Sequence, residues 1–228
     1  MIISGSGSIA AGNYNESITI SGSGLLAGDI ECESLIASGA VTADGNVTVR
    51  EEAKISGSAH FCRHLTADRV SVSGSTKVDK DLTCKTELKV AGNLTVYGRV
   101  RSTSLLVAGA ITADEGIDAD EITVSGGIRC KGLINAERVQ LFPSGRVGSI
   151  GGSEILVKKN HSFNFLQRPL LSVEELIEGD IVELERVSVP KVTGRVVKIG
   201  EKCSVDLVQY SEEIEIHPKA TVKTVEKI

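Results

Sequence analysis

Regularly spaced glycines constrain this chain more than any other feature. Gly22, Gly39, Gly57, Gly74, Gly92, Gly109 and Gly126 follow one another at steps of 17, 18, 17, 18, 17 and 17 residues. A fixed step of this kind marks a solenoid, in which each repeat is one small unit stacked on the last. Each glycine keeps the same company. Four and two residues before it stand pairs such as Ile18/Ile20, Leu35/Ala37 and Leu105/Val107. Two and four after it stand Val41/Ala43, Ala59/Phe61 and Leu94/Val96, and eight and ten after it Ile30/Cys32, Val47/Val49 and Leu82/Cys84. Residues at i and i+2 share one face of a strand, because successive side chains point to opposite faces. Each coil therefore offers three short strands with two inward residues apiece, and corners fall roughly every six positions. Each strand pairs in parallel with its copies above and below, and only stacking closes the core. The expected fold class is all-β, a single-stranded parallel β-helix.

Composition fits a narrow interior. Aromatic residues make up 3% of the chain and Trp is absent, so Val, Ile, Leu, Ala and Cys must fill the core. The net charge of −5, with basic residues scattered among acidic ones, excludes a nucleic-acid surface, which needs clustered Lys and Arg. No apolar run approaches the roughly 18 residues of a membrane span, and no signal segment follows Met1, so stable membrane insertion is not expected. Cys32, Cys62, Cys84, Cys130 and Cys203 are odd in number and lack framework spacing, which points to a reduced, cytoplasmic chain.

The marker glycines are preceded by Ser21, Ser38, Ser56, Ser73 and Ser125, or by Ala91 and Ala108. Relief of positive φ and close approach of stacked corners both favour glycine there. A second corner carries Gly28, Gly45, Gly98 and Gly132, replaced elsewhere by Arg63, Lys80 and Glu115. Beyond Ala136 the pattern loosens, with Phe142-Pro143 where a glycine would fall. The expected organisation is a β-helix over 1–157 and a linker over 158–180. The Ser172-Val-Glu-Glu175 capping signature predicts a short helical turn in that linker. A β-rich end module over 181–228 follows, with further coils as one form it can take.

Chemistry-bearing groupings are few. His60, Cys62 and His64 alternate around the inward Phe61, and Asp44 and Asp79 occupy the positions stacked on Cys62. A metal site needs convergent ligands, and the corner at Arg63 turns His64 away; a solvated polar face is the favoured reading, with no metal and no cofactor. Asp44, Asp79 and Asp114 share one outward column interrupted by Cys62 and Tyr97, spaced for a solvated acidic stripe rather than a carboxylate pair. No phosphate-loop pattern occurs among the glycines.

Several segments carry a family resemblance: Ile3-Ser-Gly-Ser-Gly-Ser8, Ile20-Ser-Gly-Ser-Gly24, Gly28-Asp-Ile-Glu-Cys32, Ile177-Glu-Gly-Asp-Ile-Val-Glu-Leu-Glu185, Val196-Val-Lys-Ile-Gly200 and Cys203-Ser-Val-Asp-Leu-Val-Gln-Tyr210. With them the chain resembles the bactofilins, bacterial polymer-forming cytoskeletal proteins, in the longer form found in Firmicutes. The resemblance implies a right-handed β-helix that assembles end to end into nucleotide-independent filaments and acts as a scaffold, not an enzyme. Its partners would be further copies of itself, a related paralogue or other proteins. Many bactofilins have a longer N-terminal tail that touches membrane; here the repeat begins within about 16 residues, so membrane attachment is not expected. Ile3, Ile9 and Tyr14 are the candidate polymer-end contacts. The rival readings are a β-helix enzyme, of the hexapeptide acyltransferase or carbohydrate-active kind, and a non-polymeric protein-binding module. A transferase would draw on His60, His64, His161 or His217.

Overall fold

The computed structural model describes residues 1–142, 144–158 and 170–228. The described residues contain strands and no α-helix, and the strands form a parallel β-solenoid with coils about 17 residues apart. The chain makes two compact units, Met1–Glu115 and Gly116–Ile228.

In the first unit a representative coil runs through the strands Leu35–Ala37, Ala40–Ala43 and Val47–Ile55. Leu35 pairs with Ile18 and Ala53, Val41 with Gly24 and Ala59, and Val47 with Ile30 and Leu65. The strand Val47–Ile55 closes one coil and opens the next without a break, so the third corner is a bulged bend rather than a tight turn. Register shifts fall there, between Val49 and Glu52 and between Cys84 and Glu87. These are the two coils with an 18-residue glycine step, so the extra residue is absorbed as a bulge while the inward slots stay aligned.

Every inward slot from Ile18 to Ala113 is buried. Each fully buried Val, Leu or Ile adds about 1.5–3 kcal/mol of hydrophobic stabilisation, which the flat alternation delivers twice per strand. Phe61, the largest enclosed side chain, lies between Ala43 and Val78 in its column, where a small neighbour makes room for the ring. Two of the inward slots hold polar side chains: Ser102 donates to Ser104 O at 2.7 Å, whereas Thr76, at 2% exposure, has a hydroxyl with no hydrogen-bond partner.

The marker glycines need space more than φ. A Cβ on Gly39, Gly57, Gly92 or Gly109 would meet the carbonyl oxygen of the glycine one coil below at 2.0 Å. None of these has positive φ; among the described glycines that conformation belongs to Gly28 and Gly116. The expectation of φ relief at the marker corner is therefore corrected: the coils stack so tightly that only hydrogen fits.

The repeat also begins earlier than its sequence pattern. Ile2–Ile3 and Ser6–Tyr14 are strands that pair with Thr19–Ile20 and with Ser23–Cys32. The pattern is hidden because two inward slots of this coil hold Gly7 and Gly12, which lack an apolar side chain. Arg50 fastens it, donating to Asn13 Oδ1, Tyr14 O and Asn15 Oδ1 two coils back and to Glu31 Oε1 one coil back, all within 3.2 Å.

In the second unit the strand Gly127–Leu141 pairs along its length with Ser144–Val157. Residues 143 and 159–169, with Pro143 of the Phe142-Pro143 break, His161 and most of the anticipated linker's first half, lie outside the described residues. The expected helical turn is absent, because Leu171–Val173 and Leu176–Leu184 are strands. Leu171 and Val173 pair with Gly145 and Val147, and the amides of Glu174 and Glu175 donate to carbonyls of Val147 and Gly148. Partners across the sheet thus use groups that a capping box would have left to a helix.

The residues beyond 181 take the form of further coils. Ile177 pairs with Val192 and Val192 with Val208, steps of 15 and 16, and Ser204 pairs with Thr221, a step of 17. The coils continue at a shortened, uneven step, out of phase with the 17–18-residue ruler. Inward residues remain buried: Val182, Leu184, Val197, Ile199, Val205 and Val208.

Candidate functional site

Two features of the folded chain offer more than structural filler: the open coil ends and one outward column of the first unit.

At the N-terminal end, Ile3, Gly7, Ile9, Gly12 and Tyr14 stand in register over Ile20, Gly24, Leu26, Ile30 and Cys32, so they occupy inward slots of the first coil. Among the described residues their strands pair on one side only, leaving a row of backbone donors and acceptors open. Of the three anticipated contact residues, Ile9 is enclosed, at 3% exposure. Ile3 lies against Gly7, and the Tyr14 ring lies beside Gly12 with its hydroxyl donating to Ala10 O at 2.7 Å. Both remain half-exposed, and Ile2 is largely exposed. Among the described residues the end is thus covered by side chains while its backbone edge has no strand partner.

The last strand of the second unit, Thr221–Lys227, pairs only with Ser204–Ile216 among the described residues. Val222 and Val225 stack on the buried Val205 and Val208, yet Val225 is 43% exposed and Ile228 64%. An apolar cross-section therefore ends this unit.

The outward column is built by backbone register. The amides of Asp44, Cys62, Asp79, Tyr97 and Asp114 donate to Leu26, Ala43, Phe61, Val78 and Val96 at 2.8–3.1 Å, continuing the ladder just past each strand. Cys62 and Asp79 are neighbours in this column, and His60 projects from the same face two residues before Cys62. His60 Nε2 lies 2.8 Å from Asp79 Oδ2. One ligand atom from each of His60, Cys62 and Asp79 lies within 4.8 Å of the others.

Lys77 Nζ stands 3.0 Å from Asp79 Oδ1 and 4.9 Å from the centre of the Tyr97 ring. Burial raises the Asp79 pKa, but the hydrogen bond with His60 and the neighbouring Lys77 ammonium outweigh it and hold the carboxyl below its ordinary range. His64 does not join the group. It is exposed at the next corner, where its Nδ1 accepts from the Asp81 amide at 3.3 Å. Sequence alternation placed His60 and Cys62 together, and the coil step placed Asp79, 17 residues on, against Cys62; the structure selects Asp79 over His64 and Asp44.

The remaining thiols are inert by position. Cys32, Cys84, Cys130 and Cys203 are buried, and burial pushes Cys32 and Cys203 up to about 11. His217 precedes the last strand, its Nδ1 accepting from the Lys219 amide. In the second unit, Gly152, Gly179 and Gly194 stack in register and floor a concavity of about 630 Å³ flanked by Glu178, Asp180 and Arg195. Its mixed charges and small residues define no particular chemistry. No described helix is long and apolar enough to cross a membrane.

With this geometry in hand, the chain is similar to two proteins of Bacillus subtilis (strain 168). It is 34% identical over 100 residues to the uncharacterized protein YhbF, covering 42% of this chain and 42% of that protein. It is 38% identical over 63 residues to the uncharacterized protein YhbE, covering 28% of this chain and 26% of that protein. The chain thus spans less than half the length of either relative. No family model matches the chain, and no solved structure matches it.

Proposed function

We propose that this chain is a structural protein of the bactofilin kind, a non-enzymatic scaffold that self-associates through its coil ends into filaments without nucleotide. The observation that carries the reading is a one-sided coil in each unit. Among the described residues, the strands Ile2–Ile3 and Ser6–Tyr14 of the first unit pair on one side only, and so does Thr221–Lys227 of the second, where Val225 and Ile228 are exposed. Stacking of a further coil on either end pairs those backbone groups and buries those side chains, the same physics that joins coil to coil inside each unit. The partner in this reading is another copy of the chain, with a related paralogue as a second candidate. Five free thiols, four of them buried, fit a reducing cytoplasm.

Negative-stain electron microscopy of the purified chain at moderate salt tests the proposal. Unbranched fibres that form without nucleotide are the expected result. Particles of one-chain size at every concentration would reject it.

A further inference from the structure

We propose that His60, Cys62 and Asp79 form a site for one transition-metal ion of the zinc type. The inference stands apart from filament assembly. It begins with the donor set: an imidazole nitrogen, a thiol sulfur and a carboxylate oxygen converge within 4.8 Å. Hard cations such as Ca²⁺ and Mg²⁺ are held by oxygens alone, whereas a sulfur and an imidazole together favour Zn²⁺, Co²⁺ and their neighbours.

The positions of the three groups are fixed by the solenoid. His60 and Cys62 face outward from one coil with the enclosed Phe61 between them, and Asp79 sits one coil away. The Cys62 amide donates to Ala43 O at 2.9 Å and the Asp79 amide to Phe61 O at 2.8 Å, so the backbones beneath two ligands are locked in register. His60 lies on the strand Ser58–Phe61, and Cys62 and Asp79 directly follow the paired strands Ser58–Phe61 and Ser75–Val78, so rigid elements set the spacing of the three groups. Cys62 is also set apart from the other four cysteines, which pack inward.

His60 Nε2 and Asp79 Oδ2, 2.8 Å apart, share a proton where a bound ion would sit. On binding, the ion takes that proton's place: the proton leaves for solvent, the neutral His60 ring carries its one proton on Nδ1, Cys62 coordinates as thiolate with its proton also released to solvent, and a water completes the tetrahedron. Lys77 is the built-in competitor. Its ammonium neighbours Asp79 Oδ1 at 3.0 Å, without the alignment of a hydrogen bond, and already lies over the Tyr97 ring. An arriving cation repels Lys77 from Asp79, and the ring gives the ammonium a second seat. His64, with its ring turned to the Asp81 amide, plays no part.

The test is titration of the metal-free full chain with Co²⁺, read by absorbance. The expected result is a thiolate-to-cobalt charge-transfer band that saturates at about one ion per chain and is displaced by Zn²⁺. Cys62→Ser removes the band, His60→Gln and Asp79→Asn each weaken binding at least about 10-fold, His64→Ala leaves it unchanged, and Lys77→Gln strengthens it. As a readout on the unaltered protein, Zn²⁺ slows alkylation of Cys62. A band that persists in Cys62→Ser, a native chain with no band, or alkylation indifferent to Zn²⁺ overturns the proposal. Circular dichroism of each variant confirms the retained β fold.

Discussion

Gly74 lies directly over the carbonyl of Gly57: a Cβ built on it would stand 1.9 Å from that oxygen. The contact joins two coils at a corner where backbone presses on backbone, so no side chain can give way. Gly74→Ala is expected to destabilise the chain by about 3 kcal/mol, the upper part of the range for overpacked cores. Gly5, the bottom of the same column, has nothing within 4 Å of its Cβ position. Gly5→Ala is expected to stay within about 0.5 kcal/mol of the parent, as exposed substitutions do. Urea denaturation of both variants checks the contrast.

Thr76 buries a hydroxyl without a hydrogen-bond partner between Ala59 and Leu94. Valine keeps the shape and removes the unsatisfied group. Thr76→Val is expected to stabilise by about 1 kcal/mol, visible as a higher urea midpoint.

Arg50 ties the third coil to the first through three donated hydrogen bonds, to Asn13, Tyr14 and Asn15, and to the second through one, to Glu31. Arg50→Ala is expected to speed amide hydrogen exchange across Ser6–Tyr14 by about 10-fold while leaving exchange at Leu82–Val90 unchanged. This is the signature of local opening at one end. A uniform loss of protection throughout would instead assign Arg50 a global role.

Burial raises the Cys203 thiol from 9.0 to about 11. A group whose folded value is raised stabilises the fold fully below its unfolded value and loses that contribution as pH climbs through the folded one. Stability is therefore expected to fall between pH 9 and about 11, and to fall less in Cys203→Val. Thermal unfolding at pH 8, 10 and 11 reads the difference between the two proteins.

Much of this architecture was legible in the sequence, because period-two alternation under a constant repeat places side chains without reference to anything distant. The inward pairs from Ile18/Ile20 to Ile111/Ala113 are buried in register. What failed did so for definable reasons. The first coil was hidden by Gly7 and Gly12, which carry no apolar signal, and the later coils by a step that drops to 15 and 16 residues. The capping signature at Ser172 is a local pattern that strand pairing overrode. At the outward site, His60 and Cys62 were found from their i, i+2 spacing. The coil step had also set Asp79 and Asp44 against Cys62, but only the folded side chains show that Asp79 joins His60 and Cys62 while His64 does not.

The coil-end account is tested most directly by light scattering across protein concentration, comparing the native chain with Ile3→Glu. Ile3 faces the open end of the first coil, where a charge would be desolvated by any coil stacked on it. The account predicts that native scattering mass rises steeply with concentration, and that Ile3→Glu, with unchanged circular dichroism, stays near the mass of one or two chains. A native chain that remains monomeric at every concentration would contradict it, as would an Ile3→Glu protein that assembles as readily as the parent.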